Sequence, residues 1–124
     1  MTSRQMRYDG EVAIVAGGGG AIGGAAAELF AARGARVVVN DIGDSAHAVC
    51  ERINAAGGTA IALIASAATE AGTIVRAAVD AFGRVDVVLN MTGLTHVALF
   101  HLISAEDWDR VFDSHFTSTL ELAA

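Results

Sequence analysis

The sequence predicts an α/β fold in which a doubly wound parallel sheet carries helices on both faces. Apolar runs rich in β-branched residues alternate with segments of helical apolar spacing, the connections are short, and a glycine-rich turn follows the first run. Because such alternation implies right-handed crossovers, we expect a Rossmann-type sheet with the strand order 3-2-1-4. The prediction is one domain over residues 1–124, truncated after the fourth strand and its following helix.

The first half of the chain is predicted to supply two strands and two helices. The continuous β-branched run Val37–Val39 is typical of a strand covered on both faces. Gly34 and Gly57 are predicted to end the two helices, and Asp44 to cap the start of the second. The predicted bounds are Glu11–Ala16 and Arg36–Asp41 for the strands, and Ala21–Arg33 and Asp44–Ala56 for the helices.

The second half is predicted to add two strands and two helices. The last helix begins near Ser104, whose hydroxyl and the acidic residues after it are typical of a helix start, and continues to the chain end. The predicted bounds are Thr59–Ala65 and Asp86–Met91 for the strands, Glu70–Phe82 for the third helix, and Thr92–Ile103 for a loop. The inward residues of the third helix are predicted to be Ile74, Val75, Ala78, Val79 and Phe82.

Composition excludes several classes of function. The formal net charge is −6 without a basic cluster, which argues against a nucleic-acid partner. No apolar run reaches the roughly 18 residues of a membrane span, and the N-terminus lacks the apolar segment of a signal peptide. The single cysteine, Cys50, permits no internal disulfide, so we expect a reducing, cytoplasmic location.

No metal site is predicted. The four histidines do not form a metal-binding spacing with Cys50 or with carboxylates, and Cys50 is expected to act as a small apolar side chain on the inner face of its helix. The histidines are His47, His96, His101 and His115.

A glycine turn after the first strand is the strongest functional signal. Gly18, Gly20 and Gly23 satisfy G-x-G-x-x-G between a strand and a helix, and Asp41 ends the second strand. The spacing predicts a dinucleotide whose pyrophosphate lies at the helix N-terminus and whose ribose hydroxyls bind Asp41. Because the carboxylate would repel a 2′-phosphate and no arginine follows it, NAD is predicted over NADP. The alternative is a structural turn with a solvated Asp41.

These residues resemble a known family. The run Ala16–Gly23 is similar to the T-G-x-x-x-G-x-G motif of the short-chain dehydrogenase/reductases, and Asp80–Val87 and Glu106–Asp109 also match. The chain as a whole resembles the N-terminal, cofactor-binding half of that family. Tyr8–Gly10 and Asn40–Gly43 look most like the 3-hydroxyacyl-CoA dehydrogenase branch of multifunctional β-oxidation enzymes.

The resemblance implies a set of site residues. His115 falls on the asparagine of the family's catalytic tetrad. Ala16 replaces the motif threonine, Ala21 the middle glycine, Ser66 an aspartate that binds adenine, and Asn90–Gly93 reads N-M-T-G where the family has N-N-A-G. The implied cofactor-binding residues are Gly17, Gly19, Gly20, Ala21, Ile22, Gly23, Asp41, Ile42, Ser66, Asn90 and Gly93.

The family's proton-transfer residues, a serine and a Y-x-x-x-K motif, do not occur in the sequence: its only tyrosine is Tyr8, and it has no lysine. Three hypotheses stay open. The chain is the NAD-binding portion of an oxidoreductase acting on an alcohol or ketone, a non-catalytic nucleotide-binding or oligomerisation module, or a truncated remnant without activity. We also expect a homo-oligomer, because the fourth strand and last helix would expose apolar residues.

Overall fold

A computed structural model describes residues 6–94 and 97–124, and within them the strands form a parallel four-stranded sheet in the order β3-β2-β1-β4. This confirms the predicted class and strand order. The strands are β1 Val12–Ala16, β2 Arg36–Asp41, β3 Thr59–Ile64 and β4 Val87–Asn90. The helices are α1 Ala21–Ala32, α2 Ser45–Ala55, α3 Ala71–Phe82, α4 Ala105–Phe112 and α5 Ser118–Ala123. Among the described residues, no helix is long or apolar enough to span a bilayer.

The sheet separates two apolar layers. On one face Ile14 and Val38 pack with Ile74 of α3, and on the other Val37 and Val39 pack with α1 and α2. Val37, Val38 and Val39 are all fully buried, which confirms that β2 is covered on both faces. The central strands therefore form a dry platform, and the polar residues that follow them emerge at its carboxyl edge.

Helix α1 buries its small residues rather than its large ones. Gly23, Gly24, Ala27 and Ala31 are buried, whereas Ile22 is 72% exposed. Glycine and alanine let the helix axis lie close to β1 and β2, which brings its N-terminus over the strand ends. The inward set predicted for α3 also needs one correction: Val79 is 45% exposed, because it lies at the margin of the buried face.

The helix ends follow the sequence with one exception. Gly83 ends α3 in the left-handed conformation at φ +82°, and the hydroxyl of Ser104 accepts a 3.0 Å hydrogen bond from the N–H of Asp107. Asp44 precedes α2, but its backbone is already helical and its side chain accepts no capping bond. The predicted side-chain cap at Asp44 is therefore wrong, since a capping residue needs an extended backbone to turn its oxygen toward the helix N–H groups.

The segment after β4 differs from the sequence expectation in two places. The predicted loop contains a short 3₁₀ helix over Phe100–Leu102, and the predicted continuous last helix is interrupted by a π turn over Asp113–Thr117 between α4 and α5. In the last helical segment four large apolar residues are about half exposed or more, Trp108 being 61% exposed, whereas Leu122 is buried in the core. Trp108 is therefore not part of the core. The other exposed large apolar residues of this segment are Phe112, Phe116 and Leu120.

A carboxylate fastens the edge strand to the centre of the sheet. Asp86, immediately before β4, accepts a 2.8 Å bond from the N–H of Val12 and an ion-paired bond from Arg84. The guanidinium of Arg84, and then the N–H of Val12, hold the pKa of Asp86 below its ordinary value. The ionised carboxylate thus joins the starts of β1 and β4.

We expect stability to fall in acid partly through Asp86. Because its folded-state pKa is depressed, its contribution is complete above the unfolded pKa of about 4 and is lost as pH falls through the lower folded value. Thermal unfolding of Asp86→Asn, followed by circular dichroism from pH 7 to pH 3, should show a lower Tm at pH 7 and a shallower acid decline than the wild type. Asp80→Asn, a change at an exposed carboxylate on α3, is the control; equal acid profiles for Asp86→Asn and wild type would contradict this assignment.

Candidate functional site: a cleft at the strand carboxyl ends

A cleft of about 430 Å³ opens at the carboxyl ends of β1, β2 and β4, where the strand order reverses. This is the position at which open α/β sheets bind their ligands. Six of the predicted cofactor residues line the cleft: Gly17, Gly20, Asp41, Ile42, Ser66 and Gly93. The other predicted cofactor residues do not line it in this structure: Gly19, Ala21, Ile22, Gly23 and Asn90. His115, predicted at the position of the catalytic asparagine, does not line it either.

The glycine turn brings three backbone segments into contact. A Cβ on Gly17 would lie 2.6 Å from the carbonyl oxygen of Met91, and one on Gly23 would overlap the carbonyl oxygen of Gly17. Gly17 also has φ +76°, which disfavours a side chain independently of space. Residues with a Cβ are therefore excluded at both positions. The start of α1 lies directly against the turn, and the turn lies directly against the residue that follows β4.

The N-terminus of α1 points its unpaired donors toward this edge. The first intrahelical bond runs from the N–H of Gly24 to the carbonyl of Gly20, at 2.7 Å, so the N–H groups of Ala21, Ile22 and Gly23 precede it. Ala21, which replaces the motif glycine, is exposed in the first turn of the helix, and none of the described non-glycine residues has a positive φ. The alanine thus fits the backbone without strain, and the donors needed by a pyrophosphate are retained.

Asp41 is held in place by backbone donors. Its Oδ2 accepts the N–H of Gly19 at 3.0 Å and its Oδ1 accepts the N–H of Ile42 at 2.8 Å. Each carboxylate oxygen keeps a further lone pair, so the fixed group can still accept from two vicinal hydroxyls. The Gly19 bond also joins the glycine turn to the end of β2.

The side of the cleft beyond β2 is mostly apolar. Ile42 is 68% exposed at the cleft wall, and the residues after β3 complete it. The backbone N–H of Ser66 donates to Glu70 Oε2 at 2.8 Å, which orders this segment, while the Ser66 hydroxyl has no partner among residues 6–94 and 97–124. A mostly apolar wall with the hydroxyls of Ser66 and Thr69 suits a planar base better than a charged group.

Asn40 is a structural feature of this site that the sequence analysis missed. Its Nδ2 donates to the carbonyls of Leu63 and Ala65, each at 3.0 Å, and its Oδ1 is buried without a partner among the described residues. These bonds fix the separation of the β2 and β3 ends. The available signal was a polar residue closing a buried, otherwise apolar strand.

The polar side chains on the β4 side of the cleft hydrogen-bond to one another. Asn90 Nδ2 donates to the hydroxyls of Ser118 and Thr119, at 3.0 and 2.8 Å, and Asn90 Oδ1 accepts from Thr92. His115 lies over Gly93, where a Cβ would overlap its ring, and its Nε2 is 2.9 Å from the carbonyl oxygen of Leu94. These contacts tie the strand end to the π turn.

The remaining candidate groups do not form a second site. His47 and His101 are exposed, His96 lies outside the described residues, and no cluster among the described residues could hold a metal ion. Cys50 is half-buried rather than fully buried; its Sγ is 3.1 Å from the carbonyl oxygen of Ala60, and burial raises the pKa of its thiol. A raised pKa lowers the thiolate fraction, in keeping with a packing role.

Comparison with known proteins identifies the family. The model of the short chain dehydrogenase family matches residues 11–124. The chain belongs to this family. It is 40% identical to the peroxisomal multifunctional enzyme type 2 of Mus musculus over 94% of its length, and 37% identical to the peroxisomal hydratase-dehydrogenase-epimerase of Neurospora crassa over 98%. Among solved structures, a short chain dehydrogenase from Mycobacterium avium superimposes with a TM-score of 0.88 at 38% identity, over 92% of this chain.

These matches confirm the resemblance read from the motifs, including its branch. The chain spans 17% of the mouse enzyme, 14% of the Neurospora enzyme and 44% of the Mycobacterium chain. It therefore represents a nucleotide-binding portion of the short-chain dehydrogenase fold, a minor part of the longest relatives.

The close backbone contact predicts that alanine is not tolerated at Gly23. We expect Gly23→Ala to lower the free energy of unfolding by about 2 kcal/mol or more, because its methyl would meet the Gly17 carbonyl, which cannot move without opening the turn. Gly72→Ala is the matched control: Gly72 also lies in the first turn of a helix, has open space around it, and should gain about 0.5–1 kcal/mol from helix propensity. Chemical denaturation measures both, and equal effects would contradict the packing argument.

Proposed function

We propose that the chain binds NAD(H) as the cofactor-binding portion of a short-chain oxidoreductase. The observation that carries this proposal is the fixed Asp41 carboxylate at the rim of the cleft, with the glycine turn and the α1 N-terminus beside it. In this arrangement the pyrophosphate lies at the start of α1, and the adenosine ribose donates its hydroxyls to Asp41. Ile42 and Ser66 then lie on either side of the adenine.

Several observations support a dinucleotide as the ligand. The cleft volume of about 430 Å³ is in the range of small-molecule sites. One similar structure, 32% identical with a TM-score of 0.88, is a 7 alpha-hydroxysteroid dehydrogenase complexed with NADH and a 7-oxo bile acid. The preference for NAD over NADP follows from the charge of Asp41, which repels a 2′-phosphate. Arg110 reaches the same cleft from α4, so both cofactors belong in the test.

The role proposed for these 124 residues is binding and orientation. Bound NAD would supply the hydride-accepting chemistry. The start of α1 would hold its two phosphates, and Asp41, Ile42 and Ser66 would hold its adenosine. The family's proton-transfer serine and Y-x-x-x-K motif are not among these residues, and neither Tyr8 nor any lysine can substitute for them in the cleft. Oxidation of an alcohol or reduction of a ketone is the proposed activity of the oxidoreductase to which this portion corresponds.

Replacing Asp41 should weaken NADH binding selectively. We expect Asp41→Asn to raise the Kd for NADH by about ten-fold or more, because charge-assisted bonds to both ribose hydroxyls are lost, and to narrow the gap between NADH and NADPH. Fluorescence titration of the purified chain with each cofactor measures this. Asp44→Asn is the control, since Asp44 lies three residues further on but does not line the cleft.

Two outcomes would count against the proposal. A wild-type chain with no saturable response to NADH up to millimolar concentration would favour the remnant hypothesis. An unchanged Kd in Asp41→Asn would remove Asp41 from the ribose site while leaving dinucleotide binding intact.

Self-association is a second proposal, favoured by the exposed apolar residues of α4 and α5. Trp108 and Phe112 of α4, Phe116 of the π turn and Leu120 of α5, together with Val88 of the edge strand β4, are exposed apolar side chains. We expect sedimentation velocity to show concentration-dependent association, and Phe116→Glu to shift the chain toward monomer. Leu29→Glu, at an equally exposed apolar residue on α1, should leave the association unchanged. A concentration-independent wild-type monomer would contradict this prediction.

The compartment also remains a prediction. The sequence favours the cytoplasm, whereas several relatives carry names that place them in peroxisomes. Imaging of the tagged chain, with its own termini left free in turn, distinguishes the two.

A further inference from the structure

We infer that Thr92 is a positioning residue whose hydroxyl joins the end of β4 to the π turn and so holds Gly93 and Leu94 in place for the second half of the dinucleotide. This inference rests on the proposed function. It assigns the β4 side of the cleft to the part of the cofactor that lies beyond the pyrophosphate, with Asp41 and Ile42 serving the adenosine half.

The Thr92 hydroxyl lies at the centre of a compact group of polar atoms. Its Oγ1 is 2.6 Å from Asn90 Oδ1, 2.8 Å from the carbonyl oxygen of Ser114 and 2.9 Å from the hydroxyl of Ser118. Asn90 closes β4, whereas Ser114 lies in the π turn and Ser118 begins α5. A single hydroxyl thus contacts the end of β4 and, more than 20 residues later in the sequence, both the π turn and the start of α5.

The hydrogens available to this group limit which of its contacts are hydrogen bonds. Asn90 uses both amide hydrogens on Ser118 and Thr119, and its Oδ1 accepts the N–H of Thr92. The Thr92 hydroxyl has a single hydrogen, which it shares between Asn90 Oδ1 and the carbonyl of Ser114. The Ser118 hydroxyl donates to the carbonyl of Ser114 at 2.7 Å. Ser118 is almost fully buried, so the part of the network centred on its hydroxyl favours one arrangement of the strand end against the turn.

The same turn holds both polar groups of the Leu94 backbone. The N–H of Leu94 donates to the hydroxyl of Ser114 at 2.9 Å, and the carbonyl of Leu94 accepts from His115 Nε2 at 2.9 Å, so that nitrogen carries the proton in this contact. Thr92, Gly93 and Leu94 all line the cleft. The position of this wall is therefore set by the π turn, and the Thr92 hydroxyl adds a direct contact between strand and turn beside the bonds of Asn90.

The strand order places the wall formed by Thr92, Gly93 and Leu94 beside the part of the dinucleotide that lies beyond the pyrophosphate. Asp41 ends β2, on one side of β1, and Gly93 follows β4, on the other side. A dinucleotide with its adenosine ribose at Asp41 and its pyrophosphate at the start of α1 must continue toward β4. In the N-N-A-G motif that this segment resembles, the third residue is alanine, so the hydroxyl of Thr92 is a feature of this chain.

The experiment compares a whole dinucleotide with its adenosine half. Binding of NADH and of ADP to the full chain is measured by fluorescence and by calorimetry, for the wild type, Thr92→Val and Thr92→Ser. We expect Thr92→Val to raise the Kd for NADH by about ten-fold and to leave the Kd for ADP within about two-fold, and Thr92→Ser to restore NADH binding. Amide hydrogen exchange at Leu94 should accelerate in Thr92→Val alone.

The variant is expected to fold, because each acceptor that Thr92→Val abandons keeps another donor: the N–H of residue 92 for Asn90 Oδ1 and the Ser118 hydroxyl for the Ser114 carbonyl. If its circular dichroism nevertheless shows unfolding, Thr92→Ala removes the same hydroxyl with a smaller side chain. Thr117→Val is the matched control: it deletes a hydroxyl of the same turn that bonds only to Asp113, at 2.8 Å, and should change neither affinity.

The outcomes separate this inference from the proposed function. A wild-type chain that binds neither probe overturns both. A wild-type chain that binds both probes overturns the inference alone if it binds ADP as tightly as NADH, if Thr92→Val loses affinity equally for the two, or if Thr92→Val loses affinity for neither. Selective loss of NADH affinity, with rescue by serine, supports it.

Discussion

The close approach of backbone to backbone at the glycine turn is the constraint on which the rest of the site depends. Neither Gly17 nor Gly23 has room for a Cβ, because carbonyl oxygens of Met91 and Gly17 occupy that space. The contact places the start of α1, the end of β1 and the end of β4 at one point. The end of β2 is joined to the same turn, because Asp41 accepts a hydrogen bond from the N–H of Gly19. A polar cleft can form over these strand ends only because the elements beneath it approach so closely.

The sequence pattern predicted the order of the strands in the sheet, but it did not predict which face of every helix is buried. The order 3-2-1-4 followed from alternation and short connections, and strand and helix bounds agree to within about a residue. Helix α1 is different because it is apolar on nearly all sides, so spacing could not distinguish buried Ala27 from exposed Ile22 and Leu29. Asp44 shows the opposite failure: the residue type suited a cap, but the backbone at that position is already helical.

A local sequence motif predicts the adenosine side of the cleft but not the β4 side. The adenosine side is built from residues whose spacing is readable, the glycine turn and Asp41 at the end of β2. The β4 side depends on contacts of Asn90 and Thr92 with residues more than 20 positions later in the sequence. It also depends on the π turn, which the apolar spacing of the sequence did not predict. Asn40 was missed for the same reason, since its partners lie in and after β3, across the sheet.

The departures from the family motif bear on whether this cleft has decayed. A decaying site loses residues without compensation, leaving strained backbone or unpaired polar groups. Ala21 instead occupies an unstrained first helical turn, and Thr92 enters a network in which each donor has an acceptor. Among the described residues, the one buried side-chain atom lacking a partner is Asn40 Oδ1, which belongs to neither of these two substitutions. The substitutions at Ala21 and Thr92 therefore fit a retained binding surface better than an eroded one.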